Sequence, residues 1–269
     1  MDNMDLSNLE GMFYESIYRY GESDPDWNRE VLGFYVPFFA DCHRVLDLGC
    51  GRGEFLELLR EKGISGTGID VDLEMVRTCR EKGLEVIQAD LFEYLGTQEA
   101  SWDGIFCSNV IEHMHADKAL RMFQLAYRAL RPGGIFLVAT PNPESLIVHL
   151  YEFWRDPTHV RLYNLPLLKF MMEYVGFRNV RGGENPKTRW DSPWTEISIQ
   201  RLEIPEESFV ELLSEKNIER RKLTGKLLYI LHNIGKMTRE ERILIENLME
   251  IIGIKKAREI YGCGVKANE

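Results

Sequence analysis

The stretch RVLDLGCGRGEFLELL, residues 44–59, decides the fold of this 269-residue chain. It begins with five mostly apolar residues, which is typical of a parallel strand covered on both faces. Three alternating glycines follow at Gly49, Gly51 and Gly53, and apolar residues then return at helical spacing. Glycine permits positive φ and lets a ligand approach the backbone closely. The stretch therefore predicts a strand, a glycine turn and a helix that starts near Glu54.

Two acids in this stretch indicate what kind of ligand the turn holds. Asp47 lies in the end of the strand, two residues before the first glycine, and Glu54 opens the helix. A dinucleotide-binding turn usually reads GxGxxG and places a pyrophosphate on the helix N-terminus, where a carboxylate is a poor neighbour. The spacing here is GxGxG. A zwitterionic amino acid, whose ammonium group a carboxylate accepts, fits these residues better.

The turn resembles motif I, D/E-x-G-x-G-x-G, of class I S-adenosylmethionine-dependent methyltransferases, on Asp47, Gly49, Gly51 and Gly53. The resemblance covers residues 44 to about 204. It implies an α/β fold with a seven-stranded, doubly wound, Rossmann-like sheet of order 3-2-1-4-5-7-6. It also implies S-adenosylmethionine as the cofactor and S-adenosylhomocysteine as the product. The alternative is a turn with only a packing role, and the motifs that follow in order argue against it.

Two further acids stand where this family contacts the nucleoside. Asp70 closes the second predicted strand, 23 residues after Asp47, and an acid about 20 residues on is placed to accept both ribose hydroxyls. Asp72 is the better candidate to cap the next helix, which leaves Asp70 for the ribose. After the third strand, Asp90 matches the acid that reaches the adenine amine in the family, with Leu91 beside the ring.

The ends of the strands supply the remaining candidates, because open α/β sheets bind ligands at that edge. The fourth strand and its following loop, residues 101–114, bring Ser108 and Asn109 there. The full set of expected cofactor-binding residues is Asp47, Gly49, Cys50, Gly51, Gly53, Asp70, Val71, Asp90, Leu91, Ser108 and Asn109.

The candidate base is a histidine. Methyl transfer from a sulfonium is an in-line displacement, for which the protein must align the reactants and exclude water. An alcohol acceptor must also lose a proton. The segment 141–165 follows the fifth strand, where this family builds its acceptor pocket, and it contains His159. Histidine titrates near neutral pH, so His159 is the first candidate and His113 the second. The alternative for His159 is a hydrogen-bonded loop histidine without a catalytic role.

A metal site is the competing interpretation of the same region. The run NVIEHM, residues 109–114, resembles the E-x-x-E-H segment of small-RNA 2′-O-methyltransferases, which bind a divalent ion. There a further histidine follows the fifth strand. The candidate ligands here are Glu112, His113 and His159, but Asn109 replaces the first acid. A divalent metal is therefore considered but not favoured.

The sequence of the last third of the chain predicts a closing hairpin and a helical extension. Residues 176–180 and 195–204 are expected to form the closing antiparallel hairpin of the sheet. The methyltransferase domain is then expected over 1–204, with a helix over residues 1–22 as its N-terminal cap. Residues 205–269 carry heptad-like apolar positions and no catalytic motif, which predicts a helical extension that packs on the domain or associates with another copy.

The composition of the chain indicates which classes of partner, cross-link and cellular location to expect. The net charge of −10 argues against broad phosphate-backbone binding, so nucleic acid is not the expected partner. The five cysteines are scattered without a CxxC pair, which argues against a disulfide framework and a zinc finger. There is neither an apolar run of about 18 residues nor a signal-peptide pattern, so a cytoplasmic protein without a membrane span is expected.

Several segments, among them FYVPFF before the glycine turn and DPTHV around His159, resemble methyltransferases of bacterial and archaeal surface-glycan gene clusters. This resemblance implies O-methylation of a saccharide or another small hydroxyl acceptor. Metal-assisted RNA 2′-O-methylation is the second hypothesis. The third is a non-catalytic scaffold that keeps the fold, and the intact acids Asp47, Asp70 and Asp90 argue against it.

Overall fold

The computed structural model describes residues 25–189 and 257–267. The predicted cap helix over 1–22 and the predicted strand over 195–204 lie outside these residues. Among the helices that are described, none has the length and apolar character that crossing a membrane requires.

Strands and helices alternate along the described chain, as the glycine turn between the first strand and its helix suggests. The strands are β1 Arg44–Leu48, β2 Ser65–Asp70, β3 Glu85–Gln88, β4 Trp102–Ser108, β5 Leu130–Pro141, β6 Arg178–Glu184 and β7 Glu259–Val265. The α-helices are α1 Pro25–Gly33, α2 Glu54–Glu61, α3 Leu73–Glu81, α4 Leu91–Gly96, α5 Ala116–Ala129, α6 Phe153–Arg155 and α7 Leu165–Val175. Short 3₁₀ turns cover Val36–Phe39, Ile111–His113 and Pro186–Thr188, and a π-helical turn covers Val148–Glu152.

The strands form one seven-stranded sheet of order β3-β2-β1-β4-β5-β7-β6, which confirms the predicted order. The first five strands are parallel to one another, while β7 runs antiparallel to both β5 and β6. Strand order reverses between β1 and β4, so the carboxyl ends of these two strands flank the crevice where such sheets bind ligands.

The strand that completes the sheet is not the predicted one. Glu259–Val265 fills the position between β5 and β6, where 195–204 was expected. The prediction of a helical extension over 205–269 is therefore wrong for 259–265, while residues 205–256 lie outside the described chain. The sequence EIYGCGV does not indicate a strand, because glycine is depleted in strands.

The two glycines of β7 have a packing reason. A Cβ at Gly264 would lie 2.8 Å from Cβ of Phe177, and one at Gly262 would lie 3.3 Å from Cε of Met172. Residues of and after α7 thus approach the strand too closely for side chains. Long-range packing, which local propensity does not register, explains both the glycines and the missed strand.

Side chains of alternate strand residues build a core on each face of the sheet. Leu46, Ile105 and Phe136 are buried in the cluster that also contains residues of α5 and α7. Their neighbours, among them Val45 and Phe106, are buried in the cluster with residues of α2, α3 and the Val36–Phe39 turn. Because both faces are covered, the ligand crevice lies at the edge of the sheet.

Replacing Gly264 by alanine is expected to lower the free energy of unfolding by about 1–3 kcal/mol, because the new Cβ overpacks against the fixed Cβ of Phe177. The matched control is Gly183→Ala on β6, where the nearest atom to a new Cβ is 3.8 Å away, an ordinary contact. Urea unfolding followed by circular dichroism compares the two. Equal stability of both variants would contradict the described packing of β7.

Candidate active site

An open cavity of about 1220 Å³ lies along the carboxyl ends of the parallel strands. Ten of the eleven expected cofactor-binding residues line it, and so do both candidate base histidines. The exception is Gly53, at which a Cβ would lie 2.5 Å from Leu84 and 2.9 Å from Cys79. Gly53 therefore makes room for packing between α2 and α3, and it does not face the cavity.

The glycine turn is folded onto the end of β2. The amides of Gly49 and Cys50 donate to the carbonyl of Ile69 at 2.8 and 3.0 Å, and the amide of Gly51 donates to Oδ2 of Asp70 at 2.9 Å. Gly51 has φ +52°, and no described atom lies within 4 Å of the point that a Cβ would occupy. A ligand can therefore come up against the backbone at Gly51.

Two acids stand side by side next to this turn. Burial raises the pKa of Asp47, and the neighbouring carboxylates of Asp70 and Glu54 raise it further. Burial also raises the pKa of Asp70, against the lowering effect of its bonds from the Asp72 and Gly51 amides. Unfavourable negative charge thus collects at one edge of the cavity, where a cation or hydroxyl donors would offset it.

The structure confirms that Asp72, not Asp70, caps α3, since its side chain accepts from the amides of Glu74 and Met75. Asp70 is nevertheless engaged, because each of its oxygens accepts one backbone amide. Asp90 lies exposed at the cavity rim and caps α4 through the amides of the next turn, with Leu91 beside it.

His159 is held in one orientation. Its Nδ1 lies 2.6 Å from the carbonyl oxygen of Phe153, and its ring stacks on the Phe153 ring with centroids 4.6 Å apart. A carbonyl oxygen only accepts, so we assign the proton of the neutral ring to Nδ1 and the lone pair to Nε2. That Nε2 lies 3.7 Å from Oδ2 of Asp156.

His113 packs edge-on against His159, with ring centroids 4.8 Å apart. Its Nδ1 lies 2.8 Å from Oγ1 of Thr158, and the same hydroxyl donates to Oδ1 of Asp156 at 2.6 Å. The hydroxyl proton is thereby used, so Nδ1 of His113 is the donor in that contact. Burial, together with the positive charge that His159 would carry, lowers the pKa of His113 to about 4.

Glu112 lies directly behind the two histidines and is fully buried. Its Oε2 accepts from Thr140 at 3.1 Å, whereas its Oε1 has no hydrogen-bond partner among the described residues. Burial raises its pKa to about 8. One ligand atom each of Glu112, His113 and His159 lies within 4.8 Å of the others. The structure therefore brings together the three residues that the sequence offered as metal ligands.

The backbone explains how a distant loop reaches this place. The carbonyl of Glu112 accepts from the amides of Val160 and Arg161 at 2.8 and 3.0 Å, which fixes the loop of His159 against the end of β4. The third histidine of the segment, His149, is exposed and does not line the cavity.

Sequence reasoning missed Glu259. This acid opens β7, is 6% exposed, and lines the cavity on the side of β5 and β7. Its signal in the sequence is only an acid before a short apolar run, 55 residues beyond residue 204, the expected end of the sheet. No local pattern indicates that this run reaches the cavity.

Comparisons with known proteins agree with this architecture. Residues 22–181 match the family described as "Methyltransferase domain". The ubiquinone biosynthesis O-methyltransferase of Xylella fastidiosa is 36% identical over 105 residues, which are 37% of this chain and 42% of that protein. A probable S-adenosylmethionine-dependent methyltransferase of Mycolicibacterium smegmatis is 33% identical over 139 residues, 49% of this chain and 51% of that protein. The matches thus span about half the length of these curated relatives.

Among solved structures, a SAM-dependent methyltransferase from Archaeoglobus fulgidus superposes with a TM-score of 0.70 at 26% identity, covering 94% of this chain and 99% of that one. The family match alone takes in more than half of the residues. The chain therefore belongs to the methyltransferase-domain family, whose members take the methyl group from S-adenosylmethionine.

Proposed function

We propose that this protein transfers the methyl group of S-adenosylmethionine to a hydroxyl of a small acceptor, such as a saccharide, with His159 as the base. The observation that carries the proposal is the fixed orientation of His159, whose Nε2 is kept as a proton acceptor in a cavity that the buried acids also line. The names of the Xylella and related proteins support an oxygen acceptor.

The described residues fit the cofactor. The carboxylate of Asp47 suits the ammonium group, the lone pairs that Asp70 retains suit the ribose hydroxyls, and open space above Gly51 admits the chain between them. Asp90 and Leu91 stand at the rim for the adenine. When bound, the cofactor supplies an electrophilic methyl group on a sulfonium.

The residues of this chain then handle the acceptor proton. As the acceptor oxygen bonds to the methyl carbon and the carbon–sulfur bond breaks, the hydroxyl proton passes to Nε2 of His159. Asp156, at 3.7 Å, stabilises the imidazolium that results. His113 is a weak base because its pKa is lowered to about 4. Its bond to Thr158 holds Asp156 in place through the shared hydroxyl.

Asp70→Asn is expected to weaken cofactor binding roughly 10- to 100-fold, since charge-assisted hydrogen bonds are lost. Calorimetry with S-adenosylhomocysteine measures the affinity. The control is Asp103→Asn, because Asp103 also accepts two backbone amides, from His43 and Arg44, but does not line the cavity. Unchanged affinity of the Asp70 variant would remove this residue from the cofactor site.

His159→Asn is expected to lower kcat roughly 100- to 10,000-fold while cofactor affinity stays within a factor of about two, because only proton removal is lost. Transfer of labelled methyl to a panel of saccharides and phenols gives the rate. His149→Asn, an exposed histidine of the same segment, is the control. A His159 variant as active as this control would show that another group takes the proton.

A divalent cation is the second candidate for proton removal at the same site. Specific support comes from the buried Oε1 of Glu112, which lacks a hydrogen-bond partner in the described chain and lies next to two histidines. A carboxylate and two imidazoles are suitable ligands for manganese, iron or zinc. When bound, such an ion would lower the pKa of an acceptor hydroxyl.

The two versions differ in their response to a chelator. If His159 acts directly, methyl transfer is expected to survive dialysis against EDTA. Added manganese is then expected to change the melting temperature of the wild type by no more than it changes that of Glu112→Gln. Activity that EDTA abolishes and manganese restores, in the wild type but not in the Glu112 variant, would instead establish the metal-assisted version.

A further inference from the structure

Glu259, at the start of β7, accepts hydrogen bonds from three side chains. Oε1 of Glu259 accepts from the hydroxyl of Tyr35 and from Nδ2 of Asn185, the latter at 3.1 Å. Oε2 accepts from Nδ2 of Asn109 at 3.4 Å. Donors alone converge on this buried carboxyl group, and a carboxylate is the side chain that accepts from all of them.

Of the three donors, Asn109 is the one that lines the cavity together with Glu259. It follows β4 with φ +53°, and its Nδ2 donates to Oγ of Ser108 at 3.2 Å and to Glu259. A primary amide has two N–H groups, so both are used. The amide plane is thereby fixed, and the opposite end of the group, Oδ1, is left as an acceptor at the cavity wall.

The position of this pair in the sheet separates it from the nucleoside side. The glycine turn, Asp70 and Asp90 follow β1, β2 and β3, which form one half of the sheet. The sequence offered Asn109 for the cofactor, but it follows β4, and Glu259 begins β7, beyond β5, so both lie in the other half. The pair therefore borders the half of the cavity that the expected cofactor leaves to the acceptor.

We infer that Glu259 is a positioning residue that turns the Oδ1 of Asn109 toward the acceptor and so selects acceptors with a second hydrogen-bond donor beside the methylated hydroxyl. The inference rests on the proposed function and deepens it. The donors of Tyr35, Asn185 and Asn109 are all directed at Glu259. Asn109 thus presents an acceptor atom, Oδ1, which pairs with a hydroxyl or an amine and disfavours an ether or a carbonyl oxygen at that point.

The kinetic test uses Glu259→Gln. This substitution replaces one of the two accepting oxygens by an NH2 group, which can no longer accept the hydrogen bond from the amide of Asn109 when it faces that amide. Acceptors are methyl glycosides and catechols with two adjacent hydroxyls, each beside its mono-deoxy analogue. We expect KM for the dihydroxy acceptors to rise about tenfold with kcat changed less than threefold, and KM for the analogues to stay unchanged. Equal losses on both acceptors of a pair, or weaker binding of S-adenosylhomocysteine in calorimetry, would overturn the inference.

Two further variants distinguish the proposed positioning role from a general folding defect. Asn109→Gly tolerates the positive φ and removes Oδ1, so it is expected to reproduce the selective rise in KM. Glu184→Gln, on the adjacent strand β6 and paired with Arg189 outside the cavity, is expected to behave as wild type. A Gly variant with unchanged selectivity would overturn the role of Oδ1.

The orientation of Asn109 also has a readout that needs no acceptor. In ¹⁵N-labelled protein, the side-chain amide signals of Asn109 are expected to shift in Glu259→Gln and to stay in place in Glu184→Gln. Signals that do not move in the Glu259 variant would overturn the positioning role. If the wild type methylates none of the hydroxyl acceptors, the proposed function fails, while this measurement still decides whether Glu259 orients Asn109.

Discussion

The hydrogen bond from the Gly51 amide to Asp70 is the constraint on which the rest of the site depends. It joins the turn after β1 to the end of β2 at 2.9 Å, and it forms only because Gly51 adopts a φ of +52°. A Cβ here would meet no described atom, yet it would fill the space through which a ligand approaches. The glycine is therefore needed both for the backbone conformation and for access, while Asp70 is oriented by the same bond.

Three carboxyl groups are buried, two of them in the wall of the cavity and the third beside it. Asp47, Glu112 and Glu259 are each at most 6% exposed, and burial raises the pKa of all three. Burying an unpaired charge destabilises a fold, so such groups concentrate where a ligand, a proton or a cation offsets the cost. Three side-chain donors serve this purpose for Glu259, while the proposed function assigns the amino acid part of the cofactor to Asp47 and a proton or a cation to Glu112.

The two halves of the sheet divide the work accordingly. Strands β1 to β3 present a glycine turn and acids, which are suited to a nucleoside with an amino acid chain. Strands β4, β5 and β7 present the histidine pair, Asn109 and Glu259, which are suited to removing a proton and orienting a hydroxylated acceptor. In the proposed reaction, the methyl group passes between these halves, at the reversal of strand order between β1 and β4.

The sequence by itself determined the parallel half of the fold and the glycine turn and acids that line one side of the cavity. Those features rest on short-range patterns: an apolar strand, a glycine turn and an acid lie within a few residues of one another, as Asp47, Gly51 and Asp70 show. It also supplied Glu112, His113 and His159 as candidates, although not their contact, since the loop of His159 reaches Glu112 through backbone bonds from Val160 and Arg161.

Only the tertiary structure decided the identity of the seventh strand and, with it, the place of Glu259 in the cavity wall. Residues 259–265 are selected by close packing against Phe177 and Met172, which requires glycines that local propensity counts against a strand. Likewise, the tautomers of the two histidines follow from Phe153 and Thr158, which are contacts that spacing along the chain does not encode. Pairing between distant segments depends on shape complementarity in three dimensions, and a one-dimensional pattern contains too little of that information.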